Sequence, residues 1–129
     1  MTKRDARIHA MQILYSADFN GTSINTAVRC IIDEEIDPLA LELVKLVEDN
    51  LSKIDSLIGR SLVNYSISRL NLVDKAIIRL ATAELLAGSL DKRIIINEAL
   101  EITKEFSDQG DHKAVSFNNR LLDTISKNL

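Results

Sequence analysis

The 129-residue chain has no tryptophan, one cysteine, one proline, two histidines and four glycines, and aromatics make up only 4% of it. A single cysteine, Cys30, excludes an internal disulfide and suits a reducing compartment; set in the apolar run VRCII, it reads as a small buried hydrophobe. Two histidines and one cysteine without HxxxH or CxxC spacing argue against a bound metal. No serine or cysteine sits in a nucleophile motif, and no glycine-rich loop follows a strand-like run. A catalytic reading therefore fails on inventory, and no cofactor is expected. Positive charge is not in excess either: the formal net charge is −3, so no global field advertises nucleic acid. No apolar run approaches the about 20 residues of a membrane span, and the N-terminus does not resemble a signal peptide. The expectation is a cytoplasmic protein without a membrane partner.

What is present is helical periodicity. Each glycine, at 21, 59, 88 and 110, falls where a periodic segment stops, and Asp37-Pro38 is an N-cap followed by a first-turn proline. With no repeat or linker, the chain reads as one domain spanning residues 1–129, an all-α bundle. Its centre is NLVDKAIIRLATAELLA, from Asn71 to Ala87, apolar over most of its circumference and so surrounded by other elements. Asn71 is its expected N-cap and Gly88 its left-handed terminator; Lys75, Arg79 and Thr82 form its one compact polar face. Glu84 alone falls inside the apolar arc, where a carboxylate needs a partner.

A first helix is expected from Thr2 to Phe19. Ala6, Ala10, Ile13, Leu14 and Ala17 make one apolar arc; Ile8, Met11, Tyr15 and Phe19 make another, with Arg7 between them. Arg7 and Glu84 are the two charges most clearly enclosed by apolar positions, which predicts a bidentate pair between the first and central helices. Lys3 and Arg4, at the unfavourable end of the helix dipole, read either as a solvated terminus or as a basic arm for phosphates. A second helix is expected over residues 23–35, ending in the solvated pair Glu34 and Glu35, and a third as one piece from Asp37 to Ile58. The stretch from Arg60 to Leu70 is mixed, and its Tyr65 reads as a packing residue. The segment from Ile94 to Phe106 is amphipathic, with Ile95, Ile96, Ala99, Leu100, Ile102 and Phe106 on one face. After a polar loop comes a last helix bearing Phe117, Leu121, Leu122 and Ile125. Asn118, Asn119 and Arg120 lie beside Phe117, the combination of amide, cation and aromatic that single-stranded RNA sites use; Phe117 fits the apolar stripe equally well.

Three segments, in this order and spacing, resemble the NusB family of bacterial transcription antitermination factors: RDARIHAMQILY (4–15), NYSISRLNLVDKAIIRLATAELL (64–86), and INEALEITKEFSD (96–108) followed by FNNRLLD (117–123). The resemblance spans nearly the whole chain and implies a bundle of about seven helices without enzymatic activity. It implies binding to boxA-type single-stranded RNA together with the NusE-like small-subunit ribosomal protein, within an RNA polymerase antitermination complex that promotes transcription of ribosomal RNA operons. By position it assigns RNA contacts to Lys3, Arg4 and Arg7 in the first helix, and to Phe117 and Asn119 in the last, with Arg120 beside them. Asp74 falls on an acidic position of the partner-docking side.

This sequence departs from the family pattern at several points. Asp5 replaces a frequent arginine, Ala83 an aromatic, and Arg120 the usual glycine, and the loop from Ser107 to Ser116 is longer. Arg7 is claimed twice, by RNA and by Glu84. The weakened basic patch implies dependence on the partner for phosphate contacts. A free homodimer is as open as a monomer. Two other readings stand beside the first: a helical interaction module without RNA binding, and a detached domain of a ribosomal RNA cytosine methyltransferase.

Overall fold

The structure, a computed structural model, describes residues 2–30 and 36–129. The described residues form seven α-helices: α1 Lys3–Asn20, α2 Ile24–Cys30, α3 Pro38–Asp49, α4 Leu51–Ser61, α5 Leu72–Ala87, α6 Lys92–Phe106 and α7 Lys113–Lys127. A single 3-10 turn, Ile67–Arg69, precedes α5, and the described residues contain no strand.

The helix ends follow from their capping residues. Thr2 closes a reciprocal capping box with Asp5 at the start of α1, satisfying two of the amide groups a helix start leaves free. The Asp37 side chain accepts from the Leu39 amide with Pro38 in the first turn, and Asn71 accepts from the Asp74 amide at the head of α5. Gly88 ends α5 at φ 69°, a left-handed conformation that costs glycine little.

Helix α5 is the axis. Its buried residues, from Asp74 through Leu85, face every direction, because α1, α3, α4, α6 and α7 all pack on it. Ile78, Ala76 and Ala83 have almost no exposure. The alanines let neighbours approach closely, while Ile54, Ile58, Ile95, Leu122 and Ile125 fill the space between helices. All seven helices contribute to this one core.

Several expectations from the sequence need correcting. The predicted helix from Asp37 to Ile58 is two helices. Asn50, at φ −121°, ψ 16°, turns its side-chain amide onto the Leu46 carbonyl at 2.8 Å, a local bond that competes with helix propagation. Thr82 does not belong to a solvated polar face: it is fully buried and donates to the Ile78 carbonyl. Cys30 is exposed, since Ile24, Ala27 and Val28 set the inward stripe of α2 and 100° per residue carries position 30 past it. Phe19 is 66% exposed and Phe106 38% exposed, so both lie at the rim of the core. The second predicted helix is described only as far as Cys30, and the expectation for Glu34 and Glu35 lies outside the described residues.

Candidate nucleic-acid interface

The N-terminal candidates divide by their partners. Lys3 is exposed. Arg4 reaches across to α6, where its Nε and Nη2 donate to Glu98 at 2.8 and 3.1 Å. That contact raises the Arg4 pKa and lowers that of Glu98, the shared hydrogen bond being the largest cause in each case. Arg7 is 7% exposed and Glu84 8% exposed. The Arg7 Nε lies 3.0 Å from one Glu84 oxygen and its Nη2 3.0 Å from the other. Such a fork holds both charges in fixed geometry, and it turns the Arg7 guanidinium toward α5 rather than toward solvent.

The second group gathers where α5, α6 and α7 meet. Asp74, 7% exposed, accepts from the Ser107 hydroxyl at 2.6 Å and the Asn118 amide at 3.0 Å through one oxygen. Its other oxygen accepts from the Asn71 amide at 2.7 Å. Asn118 is fully buried and also donates to Thr103 on α6 at 3.1 Å. The carboxylate thus ties the head of α5, the end of α6 and the first turns of α7 together. Of the neighbouring amides in FNNR, the buried one is Asn118, and Asn119 is exposed with Arg120 beside it.

Phe117 is half-buried and meets Tyr65 with ring centroids 5.7 Å apart and planes tilted by 60°. Tyr65 is held from behind: its hydroxyl donates to the Arg69 carbonyl at 2.9 Å, and the Arg69 guanidinium lies 5.0 Å from its ring centre, a cation–π contact. The two rings separate a cleft of about 450 Å³, bordered by Arg69, Asp74 and Lys113, from one of about 140 Å³, bordered by Val63, Arg120 and Thr124.

The structure therefore places Phe117, Asn119 and Arg120 on α7, with Phe117 and Asp74 bordering one cleft, and Lys3 and Arg4 at the start of α1. Helix α1 packs on α2, α3 and α5, whereas α7 packs on α4, α5 and α6. Tyr65 and Arg69 are the members of this surface that the sequence reading left in the core or unassigned. The order Tyr-x-x-x-Arg, four residues apart, was the available signal. Among the described residues no group of three or more histidines, cysteines or carboxylates is placed to hold a metal ion. No helix of the described residues is long and apolar enough to cross a membrane.

The site thus lies on an all-helical bundle with an embedded central helix, where an aromatic pair stands near a buried carboxylate hub. More narrowly, the chain belongs to the NusB family, whose pattern it matches over residues 4–127. The transcription antitermination protein NusB of Bacillus subtilis strain 168 is 36% identical over 131 aligned residues, covering 100% of this chain and 98% of the relative. That of Sulfurimonas denitrificans is 35% identical, with 98% and 97% covered. This is a family of transcription factors, not of enzymes. Among solved structures, T. maritima NusB superposes with a TM-score of 0.84 at 32% identity, covering 98% of this chain and 92% of that one. A structure of the antitermination factors NusB and NusE in complex with dsRNA gives 0.83 at 27% identity, covering 98% and 97%.

Proposed function

We propose that this protein is a transcription antitermination factor that binds boxA-type single-stranded RNA jointly with a NusE-like small-subunit ribosomal protein. The pair would join an RNA polymerase complex in the cytoplasm and favour read-through of ribosomal RNA operons. The observation that carries the reading is the likeness, over 98% of the chain, to a NusB solved together with NusE and dsRNA; that the RNA is single-stranded follows from the family resemblance. The surface at α7 supports it: Phe117 offers a ring to a base, and Asn119 and Arg120 offer donors to base edges and phosphates.

The geometry shapes how the remaining residues would act. Lys3 supplies an exposed cation at the start of α1. Arg4 is partly neutralised by Glu98 and meets phosphate only in competition with it. Arg7 contributes by fixing α1 on α5 rather than by touching RNA. Asp74 already accepts three hydrogen bonds, so its part in partner docking is to hold the α5–α6–α7 junction in shape. With a net charge of −3, the chain alone binds RNA weakly, and the partner's basic surface provides the missing phosphate contacts. A homodimer of the free protein would compete with the partner if it used the same junction.

Titration of the purified protein with the NusE-like partner, read by calorimetry or light scattering, tests the heterodimer. A one-to-one complex that Asp74→Ala weakens supports the reading, and no complex at tens of micromolar protein contradicts it.

A further inference from the structure

We infer that the smaller cleft between the loop of residues 62–65 and α7 is a slot for one unstacked nucleobase, with Tyr65 as its second aromatic wall. The inference rests on the RNA-binding reading above and deepens it. Phe117 alone presents one ring, which any base can stack on. Tyr65 changes the site from a single ring to a corner. Its ring meets Phe117 at 60° across 5.7 Å, and both rings border the cleft of about 140 Å³. A cleft of that size takes a planar base.

Three further features fit a nucleotide rather than an apolar side chain. Arg120 borders the cleft and is exposed, placed to meet the phosphate of a base seated inside. Arg69 lies over Tyr65 from the side of the larger cleft and so fixes the ring that walls the slot. Leu62, Val63 and Leu121 give apolar walls for the base faces, while the Thr124 and Ser61 hydroxyls in the lining are bonded to the Arg120 and Leu57 carbonyls. Val63 is 81% exposed, an apolar side chain projecting beside the opening with nothing in the fold to cover it. The preceding loop is also set with care: Asn64, immediately before Tyr65, is at φ 54°, a conformation asparagine tolerates better than most residues. It turns the chain so that Tyr65 points back over α7. A double helix keeps its bases paired and cannot enter, so the ligand is a single-stranded segment whose base is free to turn out.

The test uses the full chain with its NusE-like partner and a short boxA-like RNA carrying 2-aminopurine at successive positions. Tyr65→Leu keeps an apolar side chain and removes the ring; Tyr65→Phe keeps the ring and removes the hydroxyl bond to Arg69. The slot predicts that one 2-aminopurine position is strongly quenched on binding to the unaltered protein and to Tyr65→Phe. In Tyr65→Leu that quenching is lost and affinity falls about tenfold or more, the scale of one base–aromatic stack. A merely structural tyrosine would move neither the position-specific quenching nor the difference between the two variants. Unaltered protein that binds the RNA tightly, with Tyr65→Leu matching it in affinity and quenching, overturns the slot and leaves the antitermination reading intact. Failure of the unaltered protein and partner to bind single-stranded RNA overturns both.

Discussion

At the scale of single residues, the structure separates buried, paired charges from charges at the surface. Arg7 and Glu84 are nearly sealed from water and satisfy each other, so removing one leaves the other buried without a partner. Arg7→Ala should therefore lower stability by about 3–5 kcal/mol, measured by chemical or thermal unfolding. The double replacement Arg7→Met with Glu84→Leu should recover most of that loss, because it leaves no orphaned charge. Arg4 and Glu98 behave differently, being at the surface. Glu98→Gln releases Arg4 from its carboxylate, and the account predicts tighter RNA binding in the presence of the partner. The dependence of log K on log salt should steepen by up to about 0.7 if Arg4 then neutralises one phosphate; no change in affinity or slope would mean Arg4 does not reach the RNA.

The same residues carry a pH dependence. The Asp5 carboxyl is held below its ordinary value by hydrogen bonds from Thr2, the backbone one foremost, and that of Glu98 by Arg4. A carboxylate whose folded pKa is depressed stabilises the fold fully above its unfolded value, near pH 4, and loses that contribution as pH falls through the lower folded value. Acidification below about pH 4 should thus fray the first turn of α1 before the core opens. The amide resonances of residues 2–6 report it, and their moving only together with core resonances would contradict it.

At the scale of elements, the central helix was the most legible part of the chain. Its wide apolar arc, Asn71 and Gly88 each have a local cause, so the sequence pattern and the structure agree on where it starts, ends and sits. The break at Asn50 was less visible, since an asparagine in an apolar stripe looks like a tolerated polar residue until its amide is seen on the Leu46 carbonyl. Cys30 was misplaced because an apolar run says nothing about which side faces in. The hub at Asp74 shows why site residues are harder still: Ser107 and Asn118 lie 33 and 44 positions away from it in sequence, and no period connects them. Asn118→Ala strips Asp74 and Thr103 of a donor in a buried place, at a cost of about 1–3 kcal/mol. Faster amide hydrogen exchange should follow in the first turns of α7, with little change in α1. Uniform acceleration across both helices would indicate global destabilisation instead.

For the whole molecule, the proposed function asks an acidic chain to meet RNA, which it would do best as half of an assembly. The cations of the candidate patches are few and partly neutralised, and the two patches, at the start of α1 and along α7, lie on helices that do not pack extensively on each other. A basic partner seated beside either patch would supply the phosphate contacts they lack. Partner and RNA should then bind with positive coupling: each raises the affinity for the other by the same factor.

Fluorescence-anisotropy titration of a short boxA-like RNA, with and without the NusE-like partner and at two salt concentrations, tests this most directly. The account predicts weak binding by the chain alone and tight, salt-sensitive, sequence-selective binding with the partner, reduced by Lys3→Ala with Arg4→Ala and by Phe117→Ala. Equal, non-selective affinity with and without the partner, unaffected by those replacements, would contradict it and leave a helical interaction module that does not read RNA.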